Sequence, residues 1–130
     1  MNDIRQVHPE LRDAVQATPR LNVYTGLGRR VARFRSRHLD RVRAPAGVTV
    51  SNVRSHGTRL RLYVPQQQSG AGMVVIHGGG MVVGAPQAAD AFCFTLSTRL
   101  GLTIASANYR LAPEHPSPAP QADCLAAWDW

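Results

Sequence analysis

A histidine followed by three glycines, His77-Gly78-Gly79-Gly80, stands directly after the apolar run Met73-Val74-Val75-Ile76. Each glycine costs backbone entropy, and the usual return is positive φ or a close approach to the main chain. A short, continuous apolar run is the mark of a strand buried on both faces. Loops at the carboxyl ends of such strands are where α/β sheets bind ligands. Bare N–H groups there could hold an anion. The dinucleotide fingerprint fails, because position 83 is valine, and the P-loop fails, because Gly79 and Gly84 are followed by Ala85 instead of lysine. An oxyanion hole, in which N–H donors meet the charged oxygen of a tetrahedral acyl intermediate, remains open beside a tight turn with no ligand.

The elements around this loop follow from periodicity. Val48, Val50 and Val53, a turn at Ser55-His56-Gly57-Thr58, and Leu60, Leu62 and Val64 up to Pro65 spell a hairpin. Pro86 opens a helix with Ala89, Phe92, Cys93, Leu96 and Leu100 on one face, and Gly101 ends it. Leu102-Thr103-Ile104-Ala105 is a second buried-type strand, so residues 73–105 read as a βαβ unit with parallel strands. A proline-rich loop (Pro113, Pro116, Pro118, Pro120) leads to a helical segment from Asp123 to Trp130. Upstream, residues 8–18 read as a helix stopped by Pro19. A second helix from Leu27 to Val42 carries an apolar stripe of Leu27, Val31, Phe34, Leu39 and Val42 under a coat of arginine. Ala44-Pro45-Ala46-Gly47 breaks the pattern, which divides the chain into a helical region, 1–46, and an α/β region, 47–130.

Charge follows the same division. All 15 basic residues are arginine; 13 of them lie in residues 1–61 against four acids, a net +9, while the remainder sums to −2. The arginines of residues 29–43 could attract phosphate. An ordinary packed helix explains them better, since Tyr24 and Phe34 are the segment's sole aromatics, and no nucleic acid is expected. No stretch approaches the roughly 18 apolar residues of a membrane span, and the N-terminus reads as neither signal nor transit peptide. The expected compartment is the cytoplasm. Cys93 and Cys124 lack metal-ligand spacing and read as reduced core residues.

Val75-Ile76-His77-Gly78-Gly79-Gly80, with Gly84 after it, resembles the HGGG segment of hormone-sensitive-lipase-like esterases. Asn108-Tyr109-Arg110-Leu111-Ala112-Pro113-Glu114-His115-Pro116 resembles the same family's YRLAPEHP signature, and Asp123 to Trp128 the helix after it. The resemblance covers about residues 48–130, and the helices before them more loosely. It implies an α/β-hydrolase fold, about four of whose eight strands are present, with N-terminal cap helices. Gly79 and Gly80 would supply the oxyanion N–H groups. His77 and Gly78 would support the loop, and Tyr109, Arg110 and Glu114 would form a buried structural network, with Arg110 and Glu114 as an ion pair. Neither a metal nor an organic cofactor is implied.

The family's nucleophile sits in a GxSxG elbow, followed by an acid and a histidine. No GxSxG occurs in these 130 residues. The nearest match, Arg54-Ser55-His56-Gly57 after Val53, lacks the first glycine and falls in a hairpin turn. His115 and Asp123 belong to structural segments. The expectation is therefore a chain that contains no catalytic residue and is inactive alone. It would provide the oxyanion hole of a carboxylic ester hydrolase whose other half acts in trans, or serve as a non-catalytic interaction module or homo-oligomer. Met73–Ile76 would then present an unpaired apolar edge, a liability for aggregation.

Overall fold

The computed structural model describes residues 4–18, 21–38 and 42–130. Four strands, β1 (Val48–Ser55), β2 (Thr58–Pro65), β3 (Gly72–Ile76) and β4 (Thr103–Asn108), form one sheet in the order β1-β2-β4-β3. Four helices accompany them: α1 (Arg12–Ala17), α2 (Gly26–His38), α3 (Asp90–Leu100) and α4 (Ala119–Trp128). This is the partial α/β-hydrolase arrangement that the motifs imply. The β1–β2 hairpin closes through His56 and Gly57, both at positive φ (46° and 83°), which matches the twist of the strands that they join. β4 pairs antiparallel to β2 and parallel to β3, from Gly72↔Thr103 to Ile76↔Ala107, so the βαβ expectation holds.

Alternation along β2 sends Leu60 and Leu62 to one face and Arg61 and Tyr63 to the other. Leu60, Leu62, Ala105, Ala107, Tyr109, Leu111 and Ala127 make one core. Val48, Tyr63, Cys93, Phe94 and Ile104 make the other. The inward face of α3 differs from the expected stripe: Phe92 and Leu100 are exposed, while Asp90, Cys93, Phe94 and Ser97 are buried. The cause is polar. Asp90, fully buried, receives two bonds from the buried Arg61 guanidinium (Nε to Oδ1, 2.9 Å; Nη2 to Oδ2, 3.1 Å) and one from the Tyr63 hydroxyl (2.7 Å). A buried carboxylate needs such partners, and meeting them turns the helix so that Phe94 lies edge-on to Tyr63 (ring centroids 5.4 Å apart). Gly101, at φ 64°, ends α3 as the sequence predicts.

Helix α2 also departs from expectation. Leu27, Val31 and Phe34 of its apolar stripe are exposed, and Ala32 is its buried residue. The arginine side, through Arg33, meets the rest of the chain instead. The expected continuation through Leu39, Asp40 and Arg41 lies outside the described residues, as does Pro19. Among the described residues, no helix is long and apolar enough to cross a membrane.

Strand β3 lies at the sheet edge with β4 as its one neighbour among the described residues. Ile76, Leu125, Trp128 and Trp130 are more than half exposed. The accessible surface is 8724 Å² for 14.2 kDa, where a compact monomer of that mass exposes about 6,800 Å². Exposed apolar edges pair with whatever reaches them. The 130-residue chain should therefore self-associate in sedimentation velocity at micromolar concentration. A single monomeric boundary with one sharp thermal transition would contradict this.

Candidate functional site

The loop 77–85 carries β3 toward Pro86, and its shape explains its glycines individually. Gly79 has φ 125°, and a Cβ there would collide with the Val83 carbonyl. Gly80 has φ 60° with open space around it, so its backbone conformation, not crowding, favours glycine. Gly84 packs against His77, whose Nδ1 would lie 2.6 Å from an added Cβ. The turn is closed by the Val82 and Val83 N–H groups, which donate to the Gly79 carbonyl (3.1 and 3.0 Å). The Gly79 and Gly80 N–H groups donate no hydrogen bond among the described residues, and both residues are exposed. Two adjacent, unspent donors at the carboxyl end of a parallel strand can stabilise an oxyanion.

His77 is buried and anchors the start of the loop. Its Nδ1 lies 2.9 Å from the Gly78 carbonyl. A carbonyl only accepts, so Nδ1 carries the proton and Nε2, buried without a partner, holds a lone pair. The Tyr109 hydroxyl donates to the His77 carbonyl (2.6 Å), and its ring stacks on the imidazole at 4.2 Å. Burial lowers the imidazole pKa, against the Gly78 hydrogen bond and with help from the Arg37 charge, so His77 is neutral near pH 7. Burial pushes the Tyr109 phenol up to about 12, which keeps it a donor.

A second set of restraints comes from α2. The Arg33 Nε donates to the Val82 carbonyl (2.9 Å), Nη2 to the Ala112 carbonyl (2.6 Å), and the guanidinium grips both Glu114 oxygens (3.0 and 2.9 Å). The Ala112 N–H donates to the Met81 carbonyl (2.8 Å). One side chain thus holds the glycine loop and the 109–116 segment together. The sequence gives no sign of this, since Arg33 stands among six neighbouring arginines. The hydrogen bond from Arg33 and the Glu114 backbone N–H hold the Glu114 carboxyl down at about 2.

The expected Tyr109–Arg110–Glu114 network is therefore rearranged. Tyr109 is buried and joins His77, but Arg110 does not pair with Glu114. It binds Asp123 of α4 through Nε and Nη2 (2.9 and 2.8 Å), and its backbone N–H donates to the same carboxylate (2.8 Å). Arg110 and Glu114 are exposed, whereas Asp123 is buried. Four residues apart in a turn, the two side chains leave in different directions, one toward α4 and one toward α2. Burial opposes ionisation of Asp123, but the Arg110 bonds outweigh it and lower its pKa. Asp123 is thus committed to structure. Ser55 Oγ lies 3.1 Å from His56 Nδ1 at the hairpin turn, at the end of β1 and not on a strand-to-helix elbow. His115 is exposed and its N–H donates to Leu111.

Residues 73–130 match a family model described as the alpha/beta hydrolase fold. Among curated proteins, an ethyl acetate hydrolase of Pseudomonas putida is 38% identical over 79 residues, which span 58% of this chain and 25% of that protein. Among solved structures, a bacterial heroin esterase superposes with TM-score 0.81 at 27% identity, covering 95% of this chain and 42% of that one. A hormone-sensitive lipase from a metagenome library gives 0.70 at 26% identity, covering 90% and 38%. The chain thus shares the α/β-hydrolase fold with these structures and is similar to hormone-sensitive-lipase-like esterases. The chain spans about a quarter of that curated relative's length.

Two measurements check the site. In an NMR titration, the His77 imidazole should titrate below its ordinary 6.5, and a midpoint above 6.5 would contradict the buried, neutral ring. Since the folded pKa is the lower one, protonation favours the unfolded chain, and stability should fall as pH drops below about 6.5. In the second, Tyr109→Phe leaves the His77 carbonyl unpaired and should cost about 1–3 kcal/mol in denaturant melts. A neutral effect would show that the hydroxyl does not hold the loop.

Proposed function

We propose that this chain provides the oxyanion-stabilising part of a carboxylic ester hydrolase that works through a Ser–His–acid mechanism. The observation that carries this reading is the pair of unspent N–H groups, Gly79 and Gly80, in a loop locked before any substrate arrives. In such a reaction, a serine attacks the ester carbonyl, and the carbonyl oxygen becomes an anion in the tetrahedral intermediate. Donors already in place stabilise that charge without reorganising. His77 and Gly78 set the loop's entry, and His77 is spent in bracing, so it is not the general base. The names of the relatives, an ethyl acetate hydrolase and a heroin esterase, together with the HGGG motif, support an ester as substrate.

The nucleophile, acid and base of the reaction would come from a polypeptide that carries the family's serine elbow. The exposed edge of β3 and the uncovered Trp128 and Trp130 are apolar surfaces on which the elbow-bearing segment would pack. By itself it would be an interaction module without turnover. A nucleic-acid partner gains no support: Arg33, the best-placed cation of α2, is spent on Val82, Ala112 and Glu114.

The chain alone should show no burst and no turnover of short p-nitrophenyl esters, and a clear burst would overturn the reading. Co-expressed with a segment that carries the elbow serine, acid and histidine, it should gain serine-dependent hydrolysis. In that complex Gly79→Ala should lower kcat by roughly 100- to 1000-fold, the usual scale for loss of an oxyanion donor. Wild-type turnover in Gly79→Ala would remove the glycine loop from the mechanism.

A further inference from the structure

The hairpin register sets two like charges face to face. Arg54 of β1 lies directly opposite Arg59 of β2, and Arg59 in turn lies opposite Asn108 of β4. Residues paired in this way share a sheet face with Cβ atoms about 5 Å apart, and like charges there are destabilising. Two adjoining clefts, of about 650 and 720 Å³, are both walled by this row and by Arg37 of α2. The other arginines of their walls are spent: Arg33 on Glu114, Arg110 on Asp123 and Arg61 on Asp90. Each of the three carboxylates is thereby occupied. Among the described residues, Arg37, Arg54 and Arg59 have no acidic partner, which leaves three uncompensated positive charges around one space.

We propose that this cleft binds a small multivalent anion, one that bears phosphate groups or several carboxylates. Guanidinium groups suit both through paired N–H donors, and the Asn108 amide adds a donor at the end of the row. Three cations match two or more negative charges better than one. Each cleft has the volume of a small-molecule site, and Arg37 of α2 lines both, which suits a compact ligand and not a duplex. Its proposed anion ligands, Arg37, Arg54, Arg59 and Asn108, include none of the residues assigned to the oxyanion loop, so the site stands or falls independently of that activity.

The test is equilibrium dialysis of the full chain against radiolabelled pyrophosphate, with citrate as a second probe, at physiological salt. Saturable binding near one equivalent is expected. Arg54→Gln/Arg59→Gln should weaken it at least tenfold, and Arg30→Gln/Arg99→Gln, which removes the same charge from exposed positions elsewhere, by less than twofold. Binding of pyrophosphate alone would assign the site to phosphates, and binding of both probes to polyanions of either kind. Far-UV circular dichroism keeps the test sound if a variant misfolds. Without anion, Arg54→Gln/Arg59→Gln should melt at or above the wild-type temperature, because it relieves a like-charge pair. A lower melting temperature would show that the arginines serve the hairpin and would overturn the proposal. Unsaturable uptake, no binding of either probe, or equal losses in both double variants would overturn it as well.

Discussion

The hydrogen bond from the Tyr109 hydroxyl to the His77 carbonyl is the constraint on which the site depends. Strands β3 and β4 are parallel neighbours, so their chains leave the same sheet edge side by side, at His77 and Tyr109. Backbone groups just past a strand end have lost their ladder partners and need new ones. Tyr109 meets that need for His77 from within the core, at 3% exposure, and its ring fixes the imidazole plane. With the loop's first residue held, the turn closed on the Gly79 carbonyl leaves the Gly79 and Gly80 amides without partners. The donors of the candidate oxyanion hole are thus a by-product of satisfying other groups nearby.

Charge does more of the positioning than the apolar pattern would predict. Three carboxylates, Asp90, Glu114 and Asp123, each meet one arginine, and each pair joins segments distant in sequence: α3 to β2, the 109–116 segment to α2, and the same segment to α4. The Arg61–Asp90 pair is fully enclosed, where removal of one partner would strand a buried charge. The Arg33–Glu114 pair is half exposed, and its geometric value lies in the two carbonyls that the same guanidinium reaches. As pH falls from about 4.5 toward 2, Glu114 takes up a proton and this surface tie is lost.

Much of this was readable from the amino acids because it rests on short-range rules. The hairpin turn, the Gly101 stop and the strand before His77 follow from φ preferences and period-two patterning. The HGGG and YRLAPEHP segments locate the site. What could not be read was which distant polar groups would meet. The buried face of α3 differs from its apolar stripe because Asp90 turns that helix toward Arg61, and Arg110 and Glu114 part because each side chain finds a partner on another helix. Helix α2 departs from its pattern for the same reason: its apolar stripe stays exposed while Arg33 makes the decisive contacts.

The central claim is that the glycine loop is ordered yet keeps two N–H groups unspent before any substrate is present. Residue-resolved amide hydrogen exchange measures both halves of that claim at once. The Val82 and Val83 amides, bound to the Gly79 carbonyl, should be protected, while Gly79 and Gly80 exchange at close to the rate of an unfolded chain. Protection at Gly79 or Gly80 would show that these donors are already used within the protein. Fast exchange at all four would show a loop without the fixed turn described above. Either result would contradict the account.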